Sequence, residues 1–110
     1  MVRIEGEIEV SHTDPQIQIA RRLRVLESLR IGLITDVAET FKSIHLGEER
    51  ELTRSLGALI ASAYLLGRQM GIAPAVIEQE VLEALSVYSL DDEALQEDSA
   101  TVRRYLDHRA

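Results

Sequence analysis

The chain has 110 residues, of which 45 % are hydrophobic and 28 % charged, a balance typical of one globular domain with a modest core. A formal net charge of −7 disfavours binding to nucleic acid or anionic membranes, and the absence of cysteine excludes disulfides, thiolate metal sites and cysteine nucleophiles. No apolar run approaches the roughly 20 residues that cross a bilayer, and Met1 to Val10 is charged where a signal peptide would be apolar, so we expect a cytoplasmic protein.

The first 14 residues predict an extended N-terminal arm. Apolar side chains alternate with charged ones from Val2 to Val10, which is the period of a β-strand. A lone strand leaves its backbone polar groups unpaired, so the arm should either pair with a second copy or lack stable structure. Residues 15–110 are then predicted to form a single helical domain, because a core without tryptophan and with few aromatic residues favours helix-on-helix packing.

The first helical region is predicted from Pro15 to about Leu46, with Asp14 as its N-cap and apolar residues every three or four positions. Gly32 leaves open whether this region is one helix or two. Gly47 should end it.

A second helix is predicted from about Glu48 to Met70, with one apolar face and much of a second. Pro74 should open a third helix that runs to about Ser89. Residues 90–98 are acidic and weakly patterned. A short last helix is predicted from Ser99, as its N-cap, to about His108.

Asp36 and Glu39 form a possible cation site. Residues three apart on a helix are neighbours, and paired carboxylates suit a hard cation such as magnesium. On spacing alone, an exposed acidic helix face is the simpler interpretation, since the chain is rich in acids. The three histidines have no ligand-type spacing, and the arginines at positions 21, 22, 24 and 30 are expected to form ion pairs with the acids of another helix.

The register of these residues resembles the MazG-like all-α pyrophosphohydrolase family. That family has an acidic E-x-x-E pair on one helix, a glycine-containing turn, an E-x-x-D pair on the next helix, and an apolar run that ends in a Leu-Gly-Ile-like tripeptide. The corresponding positions here, without a gap, are Asp36 and Glu39, Gly47, Ser55 and Ala58, and Met70-Gly71-Ile72. The resemblance implies an antiparallel bundle of four or five helices, a homodimer, and a site where four carboxylates hold magnesium on a nucleoside triphosphate.

Two departures from the family pattern concern this site. Ser55 and Ala58 replace the second acidic pair, so only Asp36 and Glu39 remain as metal ligands. The third helix, where the family commonly carries basic residues for the phosphates, has glutamates and no basic residue. The favoured hypothesis is therefore a catalytically silent protein that acts through self-association or by binding a ligand or partner, with no cofactor.

The alternative is a weak or divergent magnesium-dependent nucleoside triphosphate pyrophosphohydrolase, which would add acids from elsewhere to Asp36 and Glu39. Candidates are Glu48, Glu49 and Glu51. The small residues of the second helix allow another helix to approach closely, which in a soluble bundle reflects core packing more often than a contact between two copies. In the family that the register resembles, the two coincide. The predicted interface consists of Gly57, Ala61, Tyr64 and Leu65.

Overall fold

The computed structural model describes residues 14–109, and these form four α-helices without a strand. The all-α prediction is therefore confirmed. The extended N-terminal arm lies outside the described residues. The chain divides into two compact units, Met1–Gly71 and Ile72–Ala110, and the single domain over residues 15–110 stays a prediction. No helix in the described range is long and apolar enough to cross a membrane.

The first unit is a hairpin of two helices, α1 (Pro15–Leu46) and α2 (Glu49–Gln69). The carboxylate of Asp14 accepts a hydrogen bond from the Gln16 backbone N–H at 2.9 Å, which confirms the predicted N-cap, and Pro15 occupies the first turn. The α1 helix continues through Gly32 as one helix, which settles the question that the sequence left open.

Gly47 makes the turn between the two helices. Its φ of 69° lies in the left-handed region, which favours glycine, and its N–H donates to the Ile44 carbonyl while the N–H of Glu48 donates to the Ser43 carbonyl. These bonds satisfy carbonyls that the end of α1 would otherwise leave free. At the other end of the hairpin, Arg22 donates to the Gln69 carbonyl at 2.5 Å. The Arg22 side chain thus satisfies a carbonyl at the C-terminal end of α2. Arg30 forms an ion pair with Glu27 of its own helix. The prediction that these arginines pair with acids of another helix is therefore wrong for Arg22 and Arg30.

The second unit is also a hairpin, formed by α3 (Pro74–Asp91) and α4 (Ala94–Arg109). The prediction that the last helix begins at Ser99 is wrong, because α4 begins five residues earlier and contains a buried Ser99. The Asp92 carboxylate accepts a hydrogen bond from the Ala94 N–H at 2.9 Å and so starts the helix there. Across the hairpin, Arg103 donates to the Leu82 carbonyl and to the Ser86 hydroxyl.

Neither hairpin builds a closed apolar core. The fully buried residues of the described chain are small: Ser43, Ser55, Gly67 and Ser99, and no large apolar side chain reaches full burial. In the first unit the side chains between α1 and α2 are half-buried leucines such as Leu29, Leu33, Leu59 and Leu66. Many larger side chains stay exposed to solvent, so each hairpin leaves apolar surface uncovered.

Candidate functional site: an incomplete acidic centre on the first hairpin

The α1 helix places Asp36 and Glu39, the acidic pair, beside its contact with α2. Both residues are half-buried, whereas the acids near the turn are exposed. Asp36 and Glu39 are three residues apart, which is most of one helical turn, so their side chains are neighbours on the surface of α1. Thr40, half-buried on the next turn, donates its hydroxyl hydrogen bond to the Asp36 backbone carbonyl at 2.8 Å.

The α2 helix places Ser55 and Ala58 on its own side of the same contact. Ser55 is 1 % exposed and Ala58 is half-buried. The Ser55 hydroxyl oxygen is buried and has no hydrogen-bond partner among the described residues. The two positions that the sequence analysis aligned with family acids therefore hold a methyl group and a buried hydroxyl without a partner.

A basic residue of α2 interacts through its charge with the acidic pair of α1. Arg54 donates from Nε and Nη2 to the Glu51 carboxylate, at 3.1 and 2.8 Å. Its hydrogen bond and charge interaction with Glu51 raise the pKa of the Arg54 guanidinium, and the charges of Glu39 and Asp36 add smaller contributions of the same sign. The Arg54 cation is therefore close enough to Asp36 and Glu39 for their charges to interact, and its positive charge opposes the approach of a metal ion.

Sequence analysis did not identify Arg54 as part of the site. The spacing of Glu51 and Arg54, three residues apart on a helix, predicts an ion pair within α2. Its relation to Asp36 and Glu39 depends on which sides of two antiparallel helices meet, and only the structure provides that information.

The residues present do not suit a magnesium ion. Magnesium requires close to octahedral oxygen coordination and is usually bound through carboxylates, water and substrate phosphates. No group of three or more acids or histidines among residues 14–109 is arranged to hold a metal. Glu48, Glu49 and Glu51, which the alternative hypothesis would recruit, thus form no such group with the acidic pair, and Glu51 is instead bonded to Arg54.

The remaining candidate residues lie away from this contact. Of the predicted interface, Gly57, Ala61 and Leu65 are exposed and Tyr64 is half-buried, so the surface is available but its role stays a prediction. In the second unit, His108 makes a hydrogen bond through Nδ1 to the Arg104 carbonyl.

A family model described as MazG-like matches residues 19–101, which is most of the chain. The chain belongs to the MazG-like family. The match includes the acidic pair, both replaced positions and the glycine turn, so the register inferred from the sequence lies inside the matched range. No curated protein and no solved structure matched the chain.

The unpaired Ser55 hydroxyl of this MazG-like protein leads to a test of stability. A buried hydroxyl without a partner costs about 1 to 3 kcal/mol of desolvation, so Ser55→Ala should raise the free energy of unfolding by about 1 kcal/mol. Ser62→Ala, at a half-buried position of the same helix, controls for the better helix propensity of alanine. Chemical denaturation of both variants measures the difference, and a loss of stability in Ser55→Ala alone would mean that the hydroxyl has a partner.

Proposed function

We propose that this MazG-like protein is catalytically silent and acts through self-association. The proposal that the protein is catalytically silent rests on the contact between α1 and α2. Ser55 and Ala58 lie there in place of the two carboxylates that the register predicts, and the Arg54 charge acts on the two that remain. Two carboxylates under the influence of a cation lack the charge that a magnesium-bridged triphosphate needs.

The α3 helix supports the same proposal. It contains Glu78, Glu80 and Glu83 and no lysine or arginine, so it offers no positive charge to a triphosphate. The family resemblance predicts basic residues for the phosphates on this helix, so their absence removes a source of affinity for a triphosphate.

Self-association is supported by the uncovered apolar surface. A single chain of 110 residues leaves side chains such as Phe41, Ile34 and Ile60 about two-thirds exposed and has no fully buried large apolar residue within the described range. Exposed apolar patches of this extent are uncommon on stable monomers and usually mark a contact with another protein. The simplest partner for this surface is a second copy of the chain, because its concentration equals that of the protein itself. A cytoplasmic location stays a prediction.

A hydrolysis assay separates this proposal from the alternative of a weak pyrophosphohydrolase. Incubation with mixed nucleoside triphosphates and magnesium should release no more pyrophosphate from the unmodified protein than from the variant with Asp36→Asn and Glu39→Gln. Both substitutions are isosteric with the native residues, so this variant loses only the charges that could hold a metal. Activity that is present in the unmodified protein and lost in the variant would favour the alternative.

A further inference from the structure

The second hairpin contains an open polar cleft between α3 and α4. Its polar lining consists of Ser86 and Ser89 from α3 and of Gln96, Ser99 and Arg103 from α4. The cleft has a volume of about 470 Å³, which lies within the range of small-molecule sites in proteins. No carboxylate lines it, although this hairpin contains nine carboxylates against three arginines. The cleft is therefore free of negative charge within an otherwise acidic hairpin.

Arg103 has hydrogen-bonding capacity that the fold does not use. Its Nη2 donates to the Leu82 carbonyl at 2.9 Å and to the Ser86 hydroxyl at 2.8 Å. The N–H groups of Nε and Nη1 have no partner among the residues that the structure describes, and no carboxylate there forms an ion pair with Arg103. The side chain is half-buried. It is thus a charge partly removed from water without a counter-ion, an arrangement that proteins usually avoid.

The Arg103 side chain extends from its backbone into the cleft. Side chains on an α-helix lean toward the helix N-terminus, and the N-terminus of α4 lies at the turn of the hairpin. The bond to Ser86 agrees with this direction, because Ser86 is one helical turn nearer the hairpin turn than Leu82. The guanidinium therefore lies at the end of the cleft far from the turn, and Ser89 lies nearer the turn.

Ser99 provides a second, independent observation. It is 7 % exposed, it lines the cleft, and its hydroxyl forms no hydrogen bond with any residue in the described range. By contrast, the hydroxyls of Ser86 and Thr101 donate to carbonyls four residues earlier in their helices. A hydroxyl at so buried a position costs stability unless a partner satisfies it. A ligand in the cleft would supply that partner.

The apolar side chains of the cleft and the charge around it indicate the class of ligand. Leu85, Leu90 and Ala100 complete the lining, and Leu90 is 86 % exposed. One guanidinium balances one negative charge, while the nine carboxylates of the hairpin repel an anion more strongly the more charge it carries. A phosphate group carries about 1.5 to 2 negative charges at neutral pH. These features favour a single carboxylate joined to an apolar body.

We propose that the second hairpin binds small organic acids, whose carboxylate accepts hydrogen bonds from Arg103, Ser89 and Ser99. The apolar part of the acid rests on Leu85 and Leu90. The ligand uses Nε and Nη1 of the guanidinium, so the Nη2 bonds that join α3 to α4 stay in place. The inference goes beyond self-association and does not depend on it, because every residue of the site belongs to one hairpin.

Titration of the isotope-labelled full chain with benzoate, followed by NMR, tests the proposal. Benzoate joins one carboxylate to an apolar ring, and benzamide is its neutral counterpart of the same size. We expect saturable shifts of the Arg103 Nε–H signal and of the amides of residues 85–103, with a dissociation constant on the order of 1 mM. Benzamide should bind at least about 10-fold more weakly, because charge-assisted hydrogen bonds are roughly twice as strong as neutral ones. Inorganic phosphate should also bind more weakly than benzoate.

Two pairs of variants locate the site. Arg103→Met should remove saturable binding, whereas Arg104→Met removes the same charge from the adjacent exposed position and should leave the affinity unchanged. Arg103→Met also loosens the hairpin, so Ser89→Ala provides an independent test at a half-buried helical position that alanine suits. We expect Ser89→Ala to raise the benzoate dissociation constant roughly 10-fold, as for a lost hydrogen bond to a charged group. Ser62→Ala, in the first hairpin, is its control.

Several results would overturn the proposal. They are the absence of saturation at about ten times the expected dissociation constant, equal affinity for benzoate and benzamide, and equal loss of affinity in Arg103→Met and Arg104→Met. An unchanged affinity in Ser89→Ala would overturn the proposed site, and tighter binding of phosphate than of benzoate would overturn the carboxylate as the ligand class. None of these results bears on self-association, which light scattering of the full chain measures separately.

Discussion

Replacing Ser55 by glutamate and Ala58 by aspartate is expected to destabilise the first hairpin by at least about 3 kcal/mol in the absence of metal, because it places one charge in a closed contact and a second at a half-buried position. Ser55 is 1 % exposed, so a carboxylate there could not reach water without separating α1 from α2, and Ala58 is half-buried. The new charges would also adjoin Asp36 and Glu39, which repel them.

Magnesium should reverse part of that loss, since the double variant restores the four acids of the family pattern. A ligand at 100 times its dissociation constant stabilises the folded state by about 2.7 kcal/mol. The matched control is Ser55→Gln with Ala58→Asn, which has the same size and no added charge. Thermal unfolding with and without magnesium measures both variants. If magnesium stabilised the acidic variant and the amide control equally, Ser55 and Ala58 would not correspond to the metal-ligand positions.

Arg103→Met is expected to lower the stability of the second hairpin by about 2 kcal/mol, because a charged donor contributes roughly 1.5 to 3 kcal/mol through its hydrogen bonds. Arg103 donates at 2.9 Å to the Leu82 carbonyl and at 2.8 Å to the Ser86 hydroxyl, which join α4 to α3. Ser86 also donates to the Leu82 carbonyl, so the three groups form one network.

The adjacent Arg104 provides the control for this variant. Its side chain is exposed and bonds only within α4, to the Thr101 hydroxyl at 3.3 Å, so Arg104→Met should change stability by less than about 0.5 kcal/mol. Hydrogen exchange of the α3 and α4 amides reports the second hairpin separately from the first. Equal protection in the two variants would contradict a bridging role for Arg103.

The fold was predictable where local signals determine it. Asp14 followed by Pro15 marks the start of α1, and Gly47, with its left-handed backbone, marks its end, since these effects act within one helical turn. The start of α4 was missed because the acidic segment before Ser99 lacks apolar periodicity, although the Asp92 side chain caps the helix at Ala94. Helix propensity alone was a poor guide at Gly32, because α1 continues through this glycine without a break.

The register of the candidate site stays a prediction, and its surroundings were not predictable from the sequence. The spacing of Asp36 and Glu39 places both on one face of α1, and the structure leaves these two residues and Ala58 half-buried and Ser55 buried. The burial of Ser55 and the position of Arg54 depend on how α1 and α2 pack, a long-range property that helical periodicity does not contain.

Calorimetric titration of the protein with magnesium tests the central claim most directly, because the claim concerns the charge that remains at this site. After removal of metal with a chelator, we expect no saturable heat up to millimolar magnesium, since Asp36 and Glu39 are the only acids at the four predicted ligand positions and the Arg54 charge acts on them. A saturable site in the micromolar range, abolished by Asp36→Asn, would contradict the account of a silent centre.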